Sequence, residues 1–153
     1  MIDILALREK VSEIVSQVND RSDKQIDRCI LTVDSAHLVK QLKNATGISL
    51  AVTYPTAKAD GLEDNYYDKE KCFLFVLQKL SPGNKSEEDQ LLMYADLQRI
   101  MLLVRDVIRN RWDSCYEIMP EESFNIEWEY QVFGEHCGLS MSLEFKSYDR
   151  IAD

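Results

Sequence analysis

The amino-acid sequence predicts an α+β fold: a mostly antiparallel sheet of four to five strands packed on one long helix, with an N-terminal helix and a short helix besides. Three observations carry that expectation. Residues 86–112 form one amphipathic stretch. Within it Met93, Leu97, Ile100, Val104, Val107 and Ile108 recur at the three- and four-residue steps of an α-helix. Residues 124–132 and 139–146 alternate apolar and polar side chains, the period of strands with one buried face. Residues 72–77 are continuously apolar, as a central strand covered on both faces would be.

In chain order, Asp3 is placed to cap a first helix running to Val18. Ile4, Leu7, Val11, Ile14, Val15 and Val18 share one stripe of it. Two partners suit that stripe, the protein's own sheet or a second subunit. Residues 19–25 read as a polar loop and 26–33 as a strand rich in β-branched residues. Asp34 or Ser35 then caps a short helix over 36–45, with Leu38, Val39 and Leu42 inward and Gly47 as its stop. Residues 48–54 alternate as a strand that Pro55 ends. Residues 56–69 are expected to be a long loop or hairpin tip, 70–79 the central strand, and 81–84 (SPGN) a turn.

At the long helix, Ser86 and Asp89 make a capping box, with Glu87 and Glu88 at the positive end of its dipole. Arg105, Arg109 and Arg111 gather at the negative end. An irregular acidic segment, 113–123, follows. The last two strands close as a hairpin whose loop is 134–137 if Phe133 pairs with Gly138. That register sets Trp128 against Leu143, Tyr130 against Met141, and Glu127 against Glu144. Helices are expected on one face of the sheet. Nothing repeats and no linker divides two composition regimes, so residues 1–153 read as a single α+β domain.

Composition narrows the function. The net charge of −9 over 153 residues argues against a nucleic-acid phosphate backbone or an anionic membrane as partner, since both need a concentrated basic surface. No apolar run approaches the roughly 20 residues of a membrane span. The opening MIDILALREK resembles neither a signal nor a transit peptide, so the cytoplasm is the expected compartment. Cys29, Cys72, Cys115 and Cys137 are scattered without a C-x-x-C. Cys29 and Cys72 sit in apolar strand contexts that suit reduced core thiols.

The sequence carries few of the residue patterns that catalysis or metal binding needs. Glu135-His136-Cys137 is the only close cluster of metal-ligating types. Three adjacent ligands cannot converge on one ion without a strained turn, so a solvent-facing hairpin tip is expected there. There is no G-x-S-x-G and no glycine-rich phosphate loop. No metal, no cofactor and no enzymatic activity are expected. Glu127, Glu129 and Glu144 gather on the polar face of the hairpin, where three readings stand: a solvated surface, a contact with an Arg-bearing partner, or paired carboxylates for acid–base work or cation binding. Tyr66 and Tyr67, flanked by acids, suit a protein contact, and equally one of them folds back on the domain. Leu91 and Leu102 leave the buried stripe of the long helix and lie near Gln98, Arg105 and Arg109. They are ordinary surface leucines or half of a subunit contact.

From residues 4 to 146 the order of a helical start, a meandering sheet, one long helix and a closing hairpin resembles the small α+β tail-terminator and tail-completion proteins of phages. The resemblance rests on pattern and not on a motif, so it brings no site residues with it. It implies a ring-forming, non-enzymatic assembly protein whose hairpin and long loop meet its neighbours. The expectation is a protein whose partner is protein, chiefly itself as a homo-oligomer. The alternative is a small-ligand binder or enzyme using Glu127, Glu129 and Glu144 on the sheet face.

Overall fold

The computed structural model describes residues 1–80, 86–112 and 116–148. Along them run α1 (Ile4–Arg21), β1 (Ile26–Thr32), α2 (Ser35–Leu42), β2 (Ile48–Thr53), β3 (Thr56–Leu62), β4 (Asn65–Lys79), α3 (Glu87–Arg111), β5 (Tyr116–Ile118), β6 (Ile126–Val132) and β7 (His136–Ser147). The turn expected at 81–84, and residues 113–115 with Cys115, lie outside the described residues.

Both amphipathic helices form where their periods place them. The Asp3 carboxylate accepts the N–H groups of Leu5 and Ala6 at 2.8 and 3.1 Å, satisfying donors that the first turn of α1 leaves free. Leu7, Val11, Ile14 and Val18 are buried, and α1 packs on α3 and β1 of the same chain. The helix runs past Val18 to Arg21, whose guanidinium meets Asp106 of α3 at 2.7 Å. Ser86 caps α3 by accepting the Asp89 N–H at 3.1 Å. The whole expected stripe of α3 is buried, together with Met101.

The seven strands make one mixed sheet in the order β1-β2-β4-β7-β5, with β3 also on β4 and β6 also on β7. This corrects the expected four to five strands in three ways. First, β1 and β2 run parallel, with Leu31 beside Val52; the segment through α2 is long enough to cross over the sheet. Second, of the two readings of residues 56–69, the hairpin forms and the long loop does not. These residues are β3 and the start of β4, closed by the turn after the Leu62–Asn65 pair. Every residue of β3 is exposed, so no burial period marks it in the sequence.

Third, helices cover both faces. Leu50, Val52, Leu74 and Val76 pack under α1 and α3. Ala51, Phe75 and Leu77 alternate to the other face, where Leu38 and Leu42 of α2 cover them. From Leu74 to Leu77 the apolar run of β4 is covered on both sides, whereas Phe73 is 40% exposed. α2 also ends at Leu42, three residues short of the expected 45.

The closing hairpin forms in a different register. Trp128 pairs with Leu139, not Leu143, and Glu127 pairs with Ser140, not Glu144. The cause is a tight connection. Phe133, Gly134 and Glu135 all take positive φ, and a bulge between Glu129 and Val132 adds Gln131 at φ 48°. The bulge also changes the facing, so that Val132 and Phe133 join the α2 cluster. Beyond the hairpin, the edge of β7 next to Glu144 is taken by residues 119–125. The Met119 N–H donates to the Glu144 carbonyl at 2.8 Å and the Phe124 N–H to that of Ser142 at 2.8 Å.

Of the expected solvent-facing tip, Gly134 and Glu135 are exposed, but the rest is not. His136 and Cys137 begin β7, pair with Lys79 and Gln78, and are 2% and 0% exposed. Burial holds the His136 imidazole pKa below its ordinary 6.5, against a contact of 3.2 Å with the Gly134 carbonyl that works the other way. The unfolded chain then binds more protons than the fold just below that value. Stability present above about pH 6.5 is expected to fall as pH drops through it. Urea titrations from about pH 5 to 8 measure this slope. His136→Gln should flatten it, and equal slopes in both proteins would overturn the assignment.

Candidate functional site

Three surfaces hold the residues that the sequence singles out. The first is β6, an edge strand paired on one side to β7. Trp128 and Tyr130 point to the α3 side of the sheet. α3 lies over β4 and β7, so the two aromatics overhang its flank and remain 58% and 60% exposed. Tyr94 of α3 reaches out to them. Its ring meets Trp128 edge-on at 5.6 Å, and its hydroxyl donates to the Glu129 carbonyl at 2.8 Å. Burial, with the Cys137 thiol nearby, raises the pKa of that hydroxyl and keeps it a donor. Phe124 at φ 67° enters the strand, and Gln131, Phe133 and Glu135 leave it at positive φ. Non-glycine residues in this region are costly and collect where a segment is held for a purpose.

The second surface is the back of α3. Leu91 is 64% exposed and Leu102 40%, with Gln98 and Arg109 exposed and Arg105 half-buried between them. Leu91 lies one turn before Tyr94, so this back adjoins the β6 overhang. Charge is unevenly spread along the helix. Residues 86–98 carry acids and no lysine or arginine, whereas 99–111 carry Arg99, Arg105, Arg109 and Arg111 against Asp106 alone.

The third surface is the part of the sheet that α2 leaves open, a basin of about 460 Å³ over β3, β4 and β7. Glu144 sits there, 9% exposed, with Lys71 Nζ at 3.2 Å and Lys69 Nζ at 3.5 Å. Lys69 also holds Glu122 at 2.5 Å. Hydrogen bonding to Glu144 and then Lys69 holds the Glu122 carboxyl below the usual range, and the bond to Glu122 raises the Lys69 ammonium. Across the strands Lys58 faces Lys69, and Lys69 faces Lys146. Lys146 lies 4.9 Å from the centre of the Tyr67 ring, which leans on Tyr148 at 5.9 Å. The carboxylates and ammonium groups largely answer one another. Chemically the basin is a latch that fastens residues 119–122 to the sheet.

The expected acidic trio does not assemble. Glu127 is exposed beside Asn125, and Glu129 accepts the Ser140 hydroxyl at 2.8 Å. Glu144 lies four residues along β7 from Ser140, roughly 13 Å away at strand rise. Of the tyrosine pair, Tyr67 folds back on the domain while Tyr66 stays 65% exposed at the tip of the β3–β4 hairpin. Lys69, Lys71, Glu122 and the overhang of Tyr94, Trp128 and Tyr130 escape sequence reasoning. One signal for the overhang was available: residues 116–135 contain no lysine or arginine while carrying Glu117, Glu121, Glu122, Glu127, Glu129 and Glu135.

The thiols of Cys72, buried, and Cys29, half-buried, are poor nucleophiles. Burial, and then Glu70, push Cys72 up to about 12, and burial raises Cys29. Among the described residues, no group of three or more His, Cys, Asp or Glu side chains is placed to hold a metal ion. Nor is any helix there long and apolar enough to cross a membrane. By fold and surface this is an α+β protein with a mixed sheet, an aromatic edge strand and a charge-polarised helix back. No protein-family model matches the chain, and no curated protein matches it in sequence.

Proposed function

We propose that this chain is a non-enzymatic interaction protein of the cytoplasm that works through protein contacts, first of all with further copies of itself. One observation carries the reading: Trp128 and Tyr130 stand more than half exposed on an edge strand whose ends are both held in left-handed backbone. Large aromatics lose little conformational freedom on binding and dominate contact energies, so a rigid exposed pair is what a contact surface needs. The acidic surroundings favour a basic surface opposite, and Leu91 continues the apolar area onto α3. Phage- or prophage-type particle assembly is the concrete setting that the order of elements suggests.

The raised thiol pKa values and the mutually paired charges of the basin support the non-enzymatic part of this reading. Light scattering over a range of concentrations tests the contact part. A mass that climbs above the 17.8 kDa of one chain is expected. The double variant Trp128→Ser, Tyr130→Ser should weaken association by roughly tenfold or more. A strict monomer at every concentration would overturn the proposal.

A further inference from the structure

Resting on that homotypic reading, we infer the arrangement of the pair: two copies pack back to back through α3, antiparallel about a two-fold axis, with Leu91 of each against Leu102 of the other. The outward residues of α3 follow a coiled-coil seam. Glu88, Leu91, Ala95, Gln98, Leu102, Arg105 and Arg109 are separated by alternating steps of three and four, the 3.5-residue repeat that keeps one stripe facing a partner helix. This stripe lies on the side of α3 away from the sheet. Glu88, Leu91, Gln98, Leu102 and Arg109 are exposed on it, and Ala95 and Arg105 are half-buried.

The occupant follows from charge. The stripe begins acidic and ends basic, so it complements itself when reversed. Setting Leu91 against Leu102 of the second copy places Ala95 against its Gln98 and Glu88 against its Arg105. The same contacts then repeat with the copies exchanged, as a two-fold interface requires. A parallel pair would instead set Glu88 on Glu88 and Arg105 on Arg105. Two other acids of α3 are already committed within the chain: Asp106 holds Arg21 at 2.7 Å, and Asp96 meets Arg99 at 3.3 Å and Lys24 at 3.9 Å. Glu88 and Arg105 form no ion pair among the described residues. The apolar centre of the seam is small, two leucines and an alanine from each copy, so the overhanging Trp128 and Tyr130 beside it are needed to widen the contact.

Charge exchange tests this arrangement, because it makes the two variants complementary to each other. Glu88→Arg sets arginine against arginine at both ends of its own pair, and Arg105→Glu sets glutamate against glutamate. Each alone is expected to weaken self-association at least roughly tenfold in sedimentation equilibrium. In an equimolar mixture, one end of the mixed pair sets the introduced arginine of the first variant against the introduced glutamate of the second. The other end keeps the native contact of Arg105 with Glu88. Association should therefore return to within about threefold of wild type. Recovery on mixing also shows that both variants fold. If wild type associates and both single variants match it, the α3 arrangement is overturned while the homotypic reading stands, and the β6 edge becomes the contact. If both single variants weaken but the mixture does not recover, the antiparallel register is overturned. A monomeric wild type overturns both readings.

Discussion

Replacing Phe145 with alanine is expected to cost about 3–5 kcal/mol of stability, the range for emptying a buried aromatic site. Phe145 is fully buried near the C-terminal end of β7, where the sheet meets the C-terminal end of α3. Its ring centre lies 5.6 Å from that of Trp112 and 6.2 Å, edge-on, from that of Tyr116. Both neighbours are fixed to backbone that collapses poorly. The Trp112 N–H closes the last turn of α3 on the Ile108 carbonyl at 3.1 Å, and Tyr116 opens β5, which among the described residues pairs with β7 alone. The upper half of the range is therefore expected. Because β5 spans three residues and Ile118 is the one paired with Phe145, the same substitution should speed amide exchange across 116–118 more than in β2. Urea unfolding measures the first effect and hydrogen exchange the second. A loss below about 1 kcal/mol would mean that Trp112 and Tyr116 close over the gap.

How far the sequence reveals this fold depends on whether the deciding interaction is local. α1 and α3 are legible because their period repeats every few residues, and the caps at Asp3 and Ser86 act within one turn. The alternation of β6 and β7 is legible for the same reason. Their register is not, because it depends on a bulge at Gln131 and on residues 119–125 occupying the edge of β7 beside Glu144. That slide of four residues leaves Trp128 and Tyr130 on their face, but the bulge turns Val132 to the other, and Glu127 and Glu144 gain different neighbours. The fate of Trp128 and Tyr130 is also non-local. Apolar alternation says that one face is covered, yet α3 lies over β4 and β7 and stops short of the edge strand. The buried carboxylate of Glu70 is a similar case. It accepts the Ile2 N–H at 2.6 Å and the Ser147 hydroxyl, partners far along the chain that nothing near residue 70 announces. Of the candidate contact, Leu91 and Leu102 could be read from spacing alone. The lysines that hold Glu144 could not, since their pairing exists only once β4 lies beside β7.

Gly138→Ala is expected to be the other large loss, about 3 kcal/mol, at the upper end of what overpacking costs. Gly138 sits in extended backbone near the start of β7, between Leu77 of β4 and Glu129 of β6. A Cβ there would lie 1.8 Å from the Val76 carbonyl oxygen and 2.9 Å from its carbon. The obstacle is the backbone of a central strand. It cannot swing aside as the end of a flexible side chain would, and Val76 itself is fully buried. Relief requires β7 to move away from β4, and β6 is carried with it because β6 pairs with no other strand among the described residues. The Trp128 ring should then lose its edge-on contact with Tyr94, so the damage reaches the proposed contact surface as well as the core. Urea unfolding gives the stability. Tryptophan fluorescence in a Trp112→Phe background isolates Trp128, whose emission should shift to the red as its partner withdraws. Stability within about 0.5 kcal/mol of wild type, with unchanged emission, would mean that β4 and β7 do not approach this closely at Gly138.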